Sequence, residues 1–206
     1  MNREGQGVNI EETHQFLEYK IETARGDTRS KPEVVRADIA RAYRTAKTRA
    51  DELLHEAEAS VAKQNRALRR KAFVPPPGTE GGDARSRRDA ADRAAMIEDP
   101  REAAEILRRA EDHGDVILAA AVAERAYDQA AMVGRIGKDT GWSTVLGEYT
   151  AERPTVRETL AQLADVPDMN NPAHRMQLAM RYAVQKPSEI EHLSDAQITA
   201  LADSED

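Results

Sequence analysis

The chain has 206 residues and a net charge of −7, with 33% of its residues charged and both signs interspersed, so no global attraction to nucleic acid or acidic membranes is expected. It has no cysteine, which excludes disulfides, thiolate metal sites and thiol nucleophiles. Aromatics are only 4%, so burial falls to Ala, Leu, Val, Ile and Met. Alanine lets helices approach closely, and no alternating run rich in Val, Ile, Thr and aromatics suggests a strand. An all-α fold follows.

Residues 1–8 read as a frayed end, and nothing after Met1 resembles the apolar core of an export signal. Asn9 with Glu12 has the spacing of a helix start, and Ile10, Leu17, Ile21 and Ala24 lie near one face of a short helix closing at Gly26. Phe16 and Tyr19 are expected to widen that buried stripe. Gly26 to Ser30 then turns the chain, so this helix can fold back on the next as a hairpin.

The longest element predicted is a highly charged helix from Ser30 to Phe73. Ser30-Lys31-Pro32-Glu33 has a capping-box spacing with proline in the first turn. No further Gly or Pro interrupts it before Pro75-Pro76-Pro77-Gly78 forbids continuation. At ~1.5 Å per residue the helix would be about 60 Å long. Apolar residues recur along it at Val35, Ile39, Ala42 or Tyr43, Ala46, Ala50, Leu53, Ala57, Val61 and Leu68. That step suits either a coiled coil or the buried face of an amphipathic helix. Ile39, Tyr43, Leu53, Leu54, Val61 and Leu68 are therefore the candidate residues of an oligomer or partner interface. The alternative is that the same stripe packs on helix 10–24 and the C-terminal body.

The end of the long helix carries Arg66, Arg69, Arg70 and Lys71, and beyond the break come Arg85, Arg87 and Arg88. Seven cations around one break could neutralise phosphates, which makes this the candidate nucleic-acid surface. The competing reading is a last turn that complements the helix dipole and keeps the helix soluble. The Pro- and Gly-rich stretch at 75–85 is the expected linker between domains at 1–74 and 86–206.

Short helices follow. Ser86 can start one through Ile97; Asp99-Pro100 starts another; Gly114 then joins it to a third capped by Asp115, making an αα-hairpin with facing alanines. Gly134 to Thr140 superficially resembles a phosphate loop but has the wrong spacing and no preceding strand, so a plain loop is expected. Trp142, Val145, Leu146 and Tyr149 concentrate bulky side chains, as a core anchor or as a ligand platform. Arg153-Pro154, Asn171-Pro172 and Ser194 with Gln197 start three more helices, the second bearing Met176, Leu178, Ala179, Met180, Tyr182 and Val184.

No motif names a reaction. The five histidines are scattered, and His55-Glu56 lacks a second histidine four residues on. Neither a nucleophile elbow nor a dinucleotide fingerprint occurs. The expectation is a non-enzymatic protein without cofactor, metal, membrane segment or evident small-molecule substrate.

Arg outnumbers Lys by 23 to 7, which together with the abundant alanine suggests a GC-rich coding genome. The layout of a charged N-terminal helical rod, a Pro/Gly hinge and an Ala/Arg-rich body of short helices, from Asp99-Pro100-Arg-Glu-Ala-Ala through Arg153-Pro154, resembles small helical head and tail assembly proteins of tailed phages and prophages of high-GC bacteria. Such proteins act as scaffolds, head–tail adaptors or minor virion components. The acidic end of this chain differs from the basic capsid-binding helix usual in scaffolding proteins. The resemblance implies a structural or assembly role through helix-mediated contacts with protein partners or with itself, in the bacterial cytoplasm or in a virion. The alternative role is a nucleic-acid-associated accessory or regulatory protein working through Arg66 to Arg88.

Overall fold

The computed structural model describes residues 9–75, 84–134 and 141–204. Among the described residues there are nine α-helices and no strand, so the fold is all-α. Most of the Pro/Gly stretch, residues 135–140, where a plain loop was expected, and both chain ends lie outside the described residues.

Most helices start as the local residues dictate. In α1 (Ile10–Gly26) the Asn9 side chain accepts from the Glu12 N–H at 2.9 Å, satisfying one of the amides that a helix leaves unpaired. In α4 (Pro100–Asp112) Asp99 accepts from the Arg101 N–H, and in α8 (Pro172–Arg181) Asn171 accepts from the Ala173 N–H, each with proline in the first turn. The full capping box forms at α9 (Asp195–Ala202), where the Gln197 N–H donates to Ser194 and the Ser194 N–H donates to Gln197. Helix α3 spans Ala84–Ala95, α6 Trp142–Thr150 and α7 Pro154–Ala164.

In the 42-residue α2 (Pro32–Phe73) the expected cap does not form. Ser30 does not cap it: its hydroxyl donates to Asp27 Oδ2 at 2.7 Å, and its N–H, like that of Arg29, donates to Asp27 Oδ1. Asp27 outcompetes Glu33 because it lies within the turn, and an Asp that bonds amides two and three residues ahead closes a local ring without waiting for a helix.

The chain divides into two compact units, one made of Met1–Ala62 with Pro167–Asp206 and the other of Lys63–Val166. This division differs from the one expected at 75–85. Proline and glycine mark where a helix must stop, whereas compact units follow the burial of apolar side chains, and α2 contributes to both units.

In the first unit, Leu17 and Ala24 of α1, Ile39, Ala40, Tyr43 and Ala46 of α2, Ile190, and Ile198 and Ala202 of α9 form one core. Val184, Leu193 and Leu201 pack against it. Polar ties join the same segments. His14 Nε2 donates to the Ala183 carbonyl at 3.1 Å, Lys186 Nζ to the Leu193 carbonyl at 2.9 Å, and Arg44 pairs with Asp203. Phe16 and Tyr19 do not widen the buried stripe of α1. They are 38% and 65% exposed, because successive helical residues rotate by about 100° and theirs fall away from the Leu17 and Ala24 side.

In the second unit, α5 (Val116–Gly134) is the central helix, with Ala119, Val122, Ala123 and Ala126 buried against α3, α4 and α6. Leu107, Val145, Leu163 and Phe73 complete the core. Small alanines on α5 permit three neighbouring helices to pack closely on it, and the bulk comes from the other side of each contact. Trp142 is buried in this core, and the Tyr149 ring lies 6.5 Å from that of Phe73 with its hydroxyl donating to the Ala72 carbonyl at 3.5 Å. The α4–α5 turn is closed by Gly114 at φ 71°, a left-handed conformation that costs glycine nothing. No helix among the described residues is long and apolar enough to cross a membrane.

Candidate partner-binding surfaces

Helix α2 carries one apolar stripe whose three parts meet different fates. Ile39 and Tyr43 are buried in the core of the first unit, which removes them from any interface with another molecule. Leu68 is half-buried against the core of the second unit. Leu53, Leu54 and Val61 belong to neither core and are half-buried. A shallow groove of about 540 Å³ runs beside this middle stretch, lined by Thr48, Arg49, Glu52, Leu53 and Glu56. Of the six candidate interface residues, then, Leu53, Leu54 and Val61 remain accessible in part, on a charged surface that keeps them wet.

The basic cluster is similarly divided. Arg69 is committed: its guanidinium donates to Glu124 Oε1 at 2.8 Å and to Asp128 Oδ1 at 2.8 Å, and lies 5.6 Å from the centre of the Tyr127 ring. Burial alone would lower its pKa, but the hydrogen bonds to Asp128 and Glu124 override that and raise it. Its charge is spent inside the protein. Arg66, Arg70 and Lys71 are exposed on the last turns of α2, and Arg85, Arg87 and Arg88 are exposed on α3, where Asp89 and Asp92 alternate with them. That arrangement presents interspersed charge instead of a uniformly basic face.

Of the two readings of Trp142 and Tyr149, the buried position of both rings fits the core anchor and leaves no open platform for a ligand. Arg153 covers Tyr149, its guanidinium 4.5 Å from the ring centre and 2.9 Å from Glu111.

Three surfaces escaped the sequence reading. Helix α8 has no buried residue, and Met176 and Met180 on it are 63% and 66% exposed. Helix α1 turns Phe16 and Tyr19 outward. In the second unit a groove of about 430 Å³ opens between the end of α3, α4 and the start of α5. Ile97, Ile106 and Leu118 line it, Met96 stands at its lip with 82% of its surface exposed, and Arg93 and Arg109 border it. The one advance signal was Met96-Ile97 before Glu98-Asp99-Pro100: two bulky apolar residues just where a helix must end, so that only one can turn inward.

No protein-family model matches the chain, and no curated protein or solved structure is significantly similar to it.

Proposed function

We propose that this chain is a non-enzymatic structural protein that works through helix-mediated contacts with copies of itself or with other proteins, in the assembly of a phage head or tail. The observation that carries the reading is the middle of α2, where Leu53, Leu54 and Val61 continue the apolar stripe of the helix but enter neither core. An apolar stripe that outruns its own core is a surface that a second helix would cover. The phage assignment is finer and rests on the layout alone: a long charged helix, a Pro/Gly stretch and an Ala/Arg-rich body of short helices. The commitment of Arg69 to Glu124 and Asp128 favours protein contacts over phosphate contacts.

The test is light scattering behind size-exclusion chromatography across a concentration range. A mass above 22.8 kDa that Leu53→Glu with Val61→Glu reduces is the expected result. A chain that stays at monomer mass and is held on duplex DNA with steep weakening as salt rises would replace this reading with the nucleic-acid one.

A further inference from the structure

The groove of the second unit is a half-built site. Its floor is aliphatic, from Ile97, Ile106 and Leu118, and its lip is the exposed Met96, a flexible side chain that adapts to an incoming apolar group. The charges around it are not balanced in their commitments. Asp115 Oδ1 accepts from the Leu118 N–H at 3.0 Å and so serves the start of α5, and Glu102 lies in the first turn of α4, where the helix dipole holds a carboxylate. The side chains of Arg93 and Arg109 make no hydrogen bond or ion pair with any described residue. Arg85 and Arg88, with Asp89 and Asp92 among them, line an adjoining hollow of about 890 Å³ that shares Arg93, His113 and Asp115 with the groove. An occupant with apolar side chains beside carboxylates fits this surface, and a phosphate backbone would leave the apolar floor unused.

The chain itself carries a segment of that chemistry. On α1, Leu17 and Ala24 face the core, while Glu12, Phe16 and Tyr19 recur at steps of four and three on the other side, with Glu22 three residues further. Phe16 and Tyr19 supply exposed rings, the first with Lys20 Nζ 5.9 Å from its centre, and Glu22, with Glu12 in the first turn of the helix, supplies carboxylates within one helical face. Such a face can place its rings on Met96 and Ile106 and its carboxylates against Arg93 and Arg109, with an arginine also able to stack on a tyrosine ring.

We infer that the α3–α4–α5 groove of one copy receives the outward face of α1 from a second copy. The inference deepens the assembly reading and rests on it. Because the two surfaces differ, the contact is head to tail, and copies add until a ring closes or a filament grows. One helix in one groove falls below the ~1,200 Å² of a standard interface, so association is weak and appears only at high concentration.

The experiment uses the full chain and light scattering over a wide concentration range, with circular dichroism confirming that each variant remains helical. The wild type should rise in mass with concentration. Phe16→Glu with Tyr19→Glu, and separately Arg93→Glu with Arg109→Glu, should each weaken self-association by at least about tenfold. An equimolar mixture of the two variants, each also carrying Leu53→Glu with Val61→Glu to silence the α2 face, should recover a one-to-one pair and nothing larger, since only one intact α1 face and one intact groove remain. A wild type fixed at 22.8 kDa throughout overturns the inference. Variants that associate as the wild type does also overturn it, and in that case loss of association in Leu53→Glu with Val61→Glu shows that the assembly reading stands without it.

Discussion

The two units are assembled by opposite routes. The second is assembled from one unbroken stretch, Lys63–Val166, in which helices close in sequence pack on α5. The first joins Leu17 and Ile39 to Ile190 and Ile198, residues separated by 151 to 181 positions of chain. Local contacts cost little loop-closure entropy, whereas distant ones must be made before any of them is rewarded. The difference teaches that the last forty residues are structural partners of the first sixty, although nothing in their own pattern says so.

The largest effect should come from removing that partnership. A chain ending at Val166 should lose the ordered first unit, because Ile39, Ala40 and Tyr43 would be left uncovered. The second unit should persist, with Trp142 emission still that of a buried indole. Trp142 exposed by the truncation would break the comparison.

Single cavities come next. Ile39→Ala and Leu107→Ala each remove a fully buried side chain and should cost about 2–5 kcal/mol. If the units are as distinct as their cores, hydrogen exchange should quicken chiefly around α1 and α9 in the first variant and around α4 and α5 in the second.

A smaller loss is expected at Arg69. Arg69→Ala leaves Glu124 and Asp128 side by side without their cation, and the pairs are partly solvated, so about 1 kcal/mol is expected in a denaturant titration. A much larger cost would mean that the ion network, and not the alanine packing on α5, sets the stability of the second unit.

The smallest effect belongs to the first unit and depends on pH. The hydrogen bond from Arg25 holds the Glu189 carboxyl well below its ordinary 4.5, at about 2. A carboxyl with a depressed folded pKa adds stability that is fully present above the unfolded value and is lost as pH falls from 4.5 towards 2. Glu189→Gln should therefore flatten the acid limb of the stability curve over that window and leave neutral pH nearly unchanged, as read by denaturation midpoints at several pH values.

Much of the candidate surface was legible in advance, though not its accessibility. The spacing of Ile39, Tyr43, Leu53, Val61 and Leu68 marks one face of a helix. It cannot tell which turns of that face are covered by α1 and α9, which by α5's neighbours, and which by nothing, since a helical period is the same whether the partner is the chain's own core or another molecule. The groove at Met96 was less legible still, because it exists only where the end of α3 meets α4 and α5, and Arg93 and Arg109 look in sequence like any other arginines on Arg-rich helices.

What the sequence determined by itself was local. Asn9, Asp99, Asn171 and Ser194 cap the helices that follow them, and scarce aromatics with plentiful alanine dictate close-packed helices, because capping and helix propensity act within a turn or two of chain. Tertiary structure alone decided that Phe16 and Tyr19 face outward, that Arg69 is neutralised from α5 and that residues 167–206 complete the unit begun by residues 1–62. Those outcomes depend on which apolar faces find one another across long stretches of chain, and burial, unlike capping, carries no local mark of its partner.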